Sequence, residues 1–204
     1  MADARSLSCP SCGAPLPIEH RFVRMIACRY CDTVSEITDE GLDPTGKTAK
    51  LAPLPTIFAV GQRGKLQGRP FHVLGRVRYG YDEGVWDEWY FAFDDGSVGW
   101  LEDEEGEYIL AKGERLRTEI PAFDAVRVGS RIDVNGHAFF VTERCRARVQ
   151  GAEGQLLFKA IPGRPVNFVE GNIGGRIAYL EFTEDEIEFG IGEPVERGDV
   201  VVEG

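Results

Sequence analysis

Apolar and polar residues alternate along several short stretches of this chain, each bounded by turn residues. In EWYFAF (88–93) the side chains fall alternately on two sides of an extended chain: Trp89, Phe91 and Phe93 on one, and Tyr90 and Ala92 on the other. A DG turn follows at residues 95–96. Similar stretches predict strands at 71–80, 97–102, 106–110 and 175–182. The 25 glycines and 11 prolines of this 204-residue chain favour many turns and short strands, so we predict an all-β protein.

The second half of the chain resembles the first at a constant offset of 68 residues. VGQRGKLQGRPFHV (60–73) aligns with VGSRIDVNGHAFFV (128–141), with identities at Val60/Val128, Gly61/Gly129, Arg63/Arg131, Gly68/Gly136, Phe71/Phe139 and Val73/Val141. The turn DDGS (94–97) falls on PGRP (162–165). This duplication predicts two repeated small antiparallel β-barrel or sandwich domains packed with pseudo-two-fold symmetry. Pairing between the copies would remove exposed strand edges.

Four of the five cysteines form two C-x-x-C pairs, CPSC (9–12) and CRYC (28–31). Two tight turns of this kind point four sulfurs at one ion, which is the arrangement of a structural zinc site. Strands at 22–28 and 33–37 would carry the second pair and complete a zinc ribbon. The sequence therefore predicts a structural Zn²⁺ with four ligands and no open position: Cys9, Cys12, Cys28 and Cys31. The fifth cysteine, Cys145, is interpreted as a small apolar core residue rather than a nucleophile.

These features divide the chain into four segments. We expect a zinc ribbon at 1–38, a linker at 39–56, a first β repeat at 57–123, and a second β repeat with C-terminal strands at 124–204.

The expected linker contains GLDPTGKT (41–48), which matches the phosphate-loop pattern G-x-x-x-x-G-K-[ST]. A phosphate loop lies between a buried parallel strand and a long helix. Here Pro53 and Pro55 would end any helix that follows, and no βαβ alternation is visible. We therefore expect no nucleotide at Gly41–Thr48.

The formal net charge is −11, and one segment carries nearly all of it. Residues 81–119 contain 13 acidic and three basic side chains. A field of this sign disfavours binding to phosphate backbones and attracts cations, although a solvated surface is the simpler interpretation. The first residues lack the apolar core of a secretory signal and no apolar run is long enough to span a membrane, so a cytoplasmic protein is expected, with any membrane contact indirect.

The segment from Gly61 to Leu110 resembles the bacterial family of domains of unknown function numbered 4178. The resemblance rests on a Gly-x-x-Gly opening strand, an EWY strand, a DG turn, a WL pair and an acidic stretch before the last strand. It extends over residues 57–182 as a duplicated unit, and the copy at 128–182 lacks both tryptophans of the W-x-x-W segment (86–89). A similar four-cysteine ribbon precedes such domains in some members. The resemblance implies a stress or envelope-associated context and transfers no catalytic residue.

We favour a non-catalytic zinc-binding interaction or adaptor protein with a protein partner, because no motif places a nucleophile, an acid and a base together. The candidate partner-binding residues are Glu102, Asp103, Glu104, Glu105, Trp86 and Trp89. The acidic run is a candidate docking point for a basic tail or a polycation. The simpler interpretation of the two tryptophans is core and hairpin packing.

Two alternatives stay open. The ribbon could bind nucleic acid through Arg21, Arg24, Arg29 and Tyr30, which the acidic net charge disfavours. The second alternative is an enzyme or ligand-binding domain that uses the acidic and tryptophan-containing segment 82–105, including Asp82, Glu83, Asp87 and Glu88, with the tryptophans as a platform for a sugar-like or cationic ligand.

Overall fold

The computed structural model describes residues 6–203, and within this range the protein is all-β, as predicted. It has 16 strands: β1 (Ser6–Ser8), β2 (Pro15–Pro17), β3 (Met25–Ala27), β4 (Thr33–Ile37), β5 (Leu42–Thr48), β6 (Arg63–Leu66), β7 (Arg69–Gly80), β8 (Val85–Phe93), β9 (Val98–Glu104), β10 (Glu107–Glu114), β11 (Arg131–Val134), β12 (His137–Leu156), β13 (Pro165–Ile173), β14 (Arg176–Phe182), β15 (Ile187–Val195) and β16 (Val200–Val202). Its only helical segments in the described range are two 3₁₀ turns, Phe123–Ala125 and Arg197–Asp199.

Eight strands close into one antiparallel ring, which we call the central ring. Their order is β7, β8, β9, β10, β15, β14, β13, β12 and back to β7. The two predicted repeats therefore do not close as separate barrels. They share one ring, because β7 pairs with β12 and β10 pairs with β15. These two pairings satisfy edges that each half alone would expose.

Strand alternation sorts the side chains of the ring into three apolar clusters. On β8, Tyr90 and Ala92 face the interior of the ring, and Phe91 and Phe93 face outward, as the sequence pattern predicted. The interior cluster contains residues of both halves. Each half also has its own cluster outside the ring, with Phe71 in one and Phe139 in the other.

The first hairpin of each half has the same backbone geometry. Gly61 donates its backbone N–H to the carbonyl of Val73 at 2.8 Å, and Gly129 donates to Val141 at 2.9 Å, 68 residues further along. Both hairpins turn through two residues with positive φ, Gln67–Gly68 and Asn135–Gly136. Positive φ at both central positions is the requirement of the tight turn that suits twisted strands, and Gly and Asn adopt it at low cost.

The two halves differ at the turn that joins β7 to β8 in the first half. Residues 81–84 form a tight turn between β7 and β8, closed by the N–H of Tyr81 and the carbonyl of Gly84 at 3.0 Å. At the matching place in the second half, residues 149–152, β12 does not turn, and this strand is extended over 20 residues in all. Its final part pairs with β7 and with β3, and so attaches the cysteine-containing segment to the ring.

Part of the predicted linker is a strand. Residues Leu42–Thr48 form β5, which pairs with β4, and the Thr45 hydroxyl donates to the carbonyl of Val34 at 3.0 Å. Pro44 is tolerated because β5 lies at the edge of the sheet. The phosphate-loop match thus falls on an extended edge strand and not on the turn that precedes a helix.

Candidate metal centre and acidic ring interior

The two C-x-x-C segments fold into two turns of the same form. Gly13 donates its N–H to the carbonyl of Cys9 at 2.9 Å, and Asp32 donates to the carbonyl of Cys28 at 2.8 Å. Gly13 and Asp32 both have positive φ, 73° and 57°. A residue with left-handed backbone conformation at this position bends the chain back after each pair. Both sulfurs of a pair therefore lie on the same side of the turn.

The four sulfurs converge. Their Sγ atoms all lie within 4.8 Å of one another, with 3.7 Å from Cys9 to Cys31 and 3.7 Å from Cys12 to Cys28. A zinc ion bound by four thiolates at about 2.3 Å sets its sulfurs about 3.8 Å apart, whereas a disulfide holds them at about 2.05 Å. The cysteines are free thiols, and their number, type and spacing fit one tetrahedrally bound metal ion.

The surroundings of the sulfurs favour the thiolate form of Cys31 and shield Cys9 and Cys28 from solvent. Cys9 and Cys28 are buried against Leu16 and Ile26. The Thr33 hydroxyl lies 3.3 Å from Cys31 Sγ, and hydrogen bonds from the Thr33 side chain and backbone lower the pKa of Cys31 to about 6. A thiolate is the form that binds metal.

The basic residues near the cluster have separate contacts. The guanidinium of Arg29 lies over the ring of Tyr30, and that of Arg21 lies over Phe22. Arg24 forms an exposed ion pair with Glu186 on the central ring at 3.5 Å. Two of the three arginines thus form exposed cation–aromatic pairs on the surface of the cysteine-containing segment.

The predicted acidic segment is divided by strand alternation. Glu102 and Glu104 line a cavity of about 630 Å³ at one end of the ring interior. Asp103 points to the other face of the sheet, where the Thr56 hydroxyl donates to it at 3.2 Å, and Glu105 is exposed in the β9–β10 turn. The four candidate residues therefore do not form one surface.

Acidic and aromatic side chains together form this cavity. Glu143 and Glu170 of the second half face the same space, beside Trp86 and Phe168. Burial raises the pKa of Glu170 to about 7. Burial likewise raises the pKa of the Cys145 thiol to about 11, so this partly buried cysteine packs as a protonated thiol, in agreement with its interpretation as a core residue.

Both tryptophans are packing residues. Trp89 is 1% exposed, with its ring 5.5 Å from that of Phe58 in the outer cluster of the first half. Trp86 stacks on Tyr79 in the interior of the ring and has one edge on the cavity. Packing in the core thus accounts for the burial of both side chains.

The acids of the enzyme alternative lie in different environments. Asp87 accepts two hydrogen bonds from Arg78 outside the ring, whereas Glu88 lies inside it and accepts one from the Tyr90 hydroxyl at 2.6 Å. Asp82 and Glu83 lie in the exposed turn before β8. The sequence does not show that Glu181 and Glu188 of the second half interact electrostatically with Glu88, because only the closed ring brings these residues together.

Fold and site together define an all-β protein with a four-cysteine cluster that could hold a metal ion. The model of the family described as Domain of unknown function (DUF4178) matches residues 59–197, and the chain belongs to this family. No curated protein and no solved structure matches the chain. Among residues 6–203, no helix combines the length and the apolar composition that crossing a membrane requires.

Proposed function

We propose that this is a zinc-containing, non-catalytic binding protein whose ribbon holds one structural Zn²⁺. The convergence of four cysteine sulfurs within 4.8 Å supports this most directly. Sulfur is the preferred ligand of structural zinc, and four protein ligands leave no position for water or substrate.

The ion would supply the folding free energy that the small buried apolar surface of the ribbon cannot provide. Only four buried residues form the apolar cluster of the ribbon: Cys9, Leu16, Ile26 and Cys28. Two of them are the ligands themselves. Metal binding would therefore provide most of the folding free energy of residues 6–17, which pair only as the small β1–β2 sheet.

Metal analysis of the purified protein tests this proposal. One zinc per chain is expected for the wild type and for Cys145→Ser, which removes the fifth cysteine. Cys12→Ser is expected to lose most of the zinc, because three thiolates bind it more weakly. Zinc absent from the wild type, or retained equally by both variants, would reject the proposal.

We further propose that the two halves arose by tandem duplication and act together as a cytoplasmic interaction module for a protein partner. The matching hairpins, 68 residues apart, support the duplication. Of the four acidic candidate residues at 102–105, Asp103 and Glu105 are the two that face away from the ring interior. Pull-down from cell extract with Asp103→Ser/Glu105→Ser should lose the partner recovered by the wild type, and recovery of the same partner would remove this docking point.

A nucleic-acid-binding ribbon is the second candidate. The exposed pairs of Arg21 with Phe22 and of Arg29 with Tyr30 favour it, since Arg and aromatic side chains stack on bases. A gel shift at low salt with single-stranded and duplex nucleic acid decides it. A shift that is lost in Tyr30→Ala supports this candidate, and no shift removes it.

A further inference from the structure

A second cavity, which we call the small cavity, lies at the end of the central ring opposite to the cavity of Glu102 and Glu104. The two share no lining residue, since β9 contributes Trp100 to the small cavity and its later residues to the larger one. The walls of the small cavity include Tyr90, Trp100, Phe158, Glu181 and Glu188. Its volume is about 340 Å³. Ligand pockets measure about 300–1,000 Å³, so this one has room for one small molecule.

A buried carboxylate oxygen at the small cavity has no hydrogen-bond partner. Leu180 and Phe182 belong to the outer cluster of the second half, so Glu181 between them faces the ring interior, where it lines the small cavity. Glu181 is 5% exposed, and its Oε1 atom is without a partner. A buried polar atom in this state costs free energy unless something satisfies it.

The hydroxyl group at the same cavity is already engaged. Tyr90 donates its one hydroxyl proton to Glu88 at 2.6 Å, so it cannot also donate to Glu181. Protonation of Glu181 would remove its charge and still give Oε1 no partner. A hydrogen-bond donor from outside the chain would satisfy this oxygen.

The charge of the small cavity favours a donor that is also a cation. Glu188 lies directly opposite Glu181 in the β14–β15 register, and like charges in such positions destabilise a sheet. Within residues 6–203, neither carboxylate has a Lys, Arg or His nitrogen within 4.0 Å. Lys112 borders the cavity, but strand alternation places its side chain on the outer face of β10, together with Leu110.

The walls of the small cavity suit an organic cation rather than a metal ion. The ring of Tyr90 lies 5.2 Å from that of Phe158 and 6.4 Å from that of Trp100. Aromatic faces attract ammonium groups, and their apolar surface accepts alkyl chains. A hard metal ion takes six or more oxygen ligands. Among the described residues, the cysteine quartet is the one group of three or more potential ligand atoms that converge within 4.8 Å.

We propose that the small cavity binds one small alkylammonium ion. An N–H of the ammonium group would donate to Oε1 of Glu181, and its charge would offset the repulsion between Glu181 and Glu188. The alkyl chain would pack on the rings of Tyr90, Trp100 and Phe158. This is a small-molecule site inside the ring, in addition to the protein-binding role proposed above.

Calorimetric titration of the full chain with butylammonium chloride, at pH 8 and fixed ionic strength, tests the proposal. Butylammonium stays charged at this pH, because alkylammonium groups such as that of lysine have a pKa near 10.4. Saturable binding of one ion per chain is expected. Butan-1-ol has nearly the same shape, with a neutral hydroxyl in place of the ammonium group. It should bind about tenfold more weakly or less, because charge-assisted hydrogen bonds are the stronger ones.

Two variants of the cavity and one matched control locate the site. Glu181→Gln and Glu188→Gln should each weaken binding of butylammonium about tenfold, because each removes one carboxylate from the cavity. Glu186→Gln is the control. It removes the same charge from a nearby exposed residue that pairs with Arg24 and does not line the cavity, so its affinity should stay within about twofold of the wild type.

A thermal melt of each variant without the ligand separates a binding defect from misfolding. Glu181→Gln should melt at or above the wild-type temperature, because it removes one member of a buried like-charge pair. If it melts lower, the partly exposed Glu188→Gln decides. Absence of saturable binding to the wild type, equal binding of butan-1-ol, or wild-type affinity in the deciding variant would overturn the proposal. Equal weakening by Glu186→Gln would also overturn it, since only general attraction to negative charge would remain.

Discussion

The guanidinium of Arg78 and the carboxylate of Asp87 form a two-pronged ion pair across β7 and β8. Nε and Nη2 of Arg78 lie 2.8 and 2.7 Å from the two oxygens of Asp87. Both side chains are buried, and the remaining nitrogen of Arg78 donates to the carbonyl of Ala52 at 2.6 Å. This pair holds the chain segment before the first half against the outside of the ring.

Removal of Asp87 should destabilise the protein strongly. Asp87→Ala leaves the charge of Arg78 buried without its partner, and the expected loss is about 3–5 kcal/mol of the free energy of unfolding. Asp185→Ala serves as the control, since Asp185 pairs with Arg164 at the surface and a loss below about 1 kcal/mol is expected. Urea denaturation measures both, and equal losses would contradict the importance of burial at Asp87.

Glu88 should make stability depend on pH. Burial raises its pKa from 4.5 to about 7, so between these pH values the folded state binds more protons than the unfolded state. The stabilisation is fully present below pH 4.5 and is lost as the pH rises through 7. Each unit of raised pKa corresponds to about 1.4 kcal/mol. Burial also raises the pKa of the neighbouring Glu181 and Glu188, which act in the same direction.

A comparison of the wild type with Glu88→Gln isolates this contribution. Urea denaturation from pH 5 to pH 8 should show the variant gaining stability relative to the wild type as the pH rises. The four cysteines are the same in both proteins, so their effect cancels in the difference. A difference that stays constant over this range would refute the assignment to Glu88.

Phe71 and Phe139 should contribute equally to the two outer clusters. They occupy matching positions in the two hairpins, at 1% and 0% exposure. Each substitution to Ala is expected to cost about 3–5 kcal/mol through lost burial and a cavity. Val128→Ala, at a site that is 60% exposed, should change stability by less than about 0.5 kcal/mol. If either phenylalanine variant is as stable as Val128→Ala, the two positions are not equivalent.

Removal of the proposed metal ion should destabilise the ribbon more than the central ring. If zinc supplies the stability of residues 6–17, a strong chelator should accelerate amide hydrogen exchange in β1 and β2 at least tenfold. Exchange in β8 and β13 should stay within twofold, because these strands are paired on both sides within the ring. Mass spectrometry of peptides measures both regions. Unchanged exchange in β1 and β2 would argue against a stabilising metal.

The sequence by itself determined several strands and the convergence of the four cysteines, because both depend on short-range patterns. The bounds of β4 (Thr33–Ile37) agree with the predicted strand at every residue, and the two faces of β8 follow from its alternation. Two C-x-x-C pairs place their sulfurs through local turns, and Gly13 marks the first of them. The strand character of β5 was hidden, because its Pro, Gly and Asp residues are typical of loops and its pairing with β4 is not visible in its composition.

Only the tertiary structure decided which strands meet. The similarity of the two halves gives no sign that β7 pairs with β12 instead of closing its own barrel, since this choice depends on contacts between residues 70 or more positions apart. The opposition of Glu181 and Glu188, and that of Glu88 and Glu102, follow from strand register. A shift of one residue in register would turn these side chains to the opposite face of the sheet. The acidic interior is therefore a property of the closed ring, and no single segment of the chain contains it.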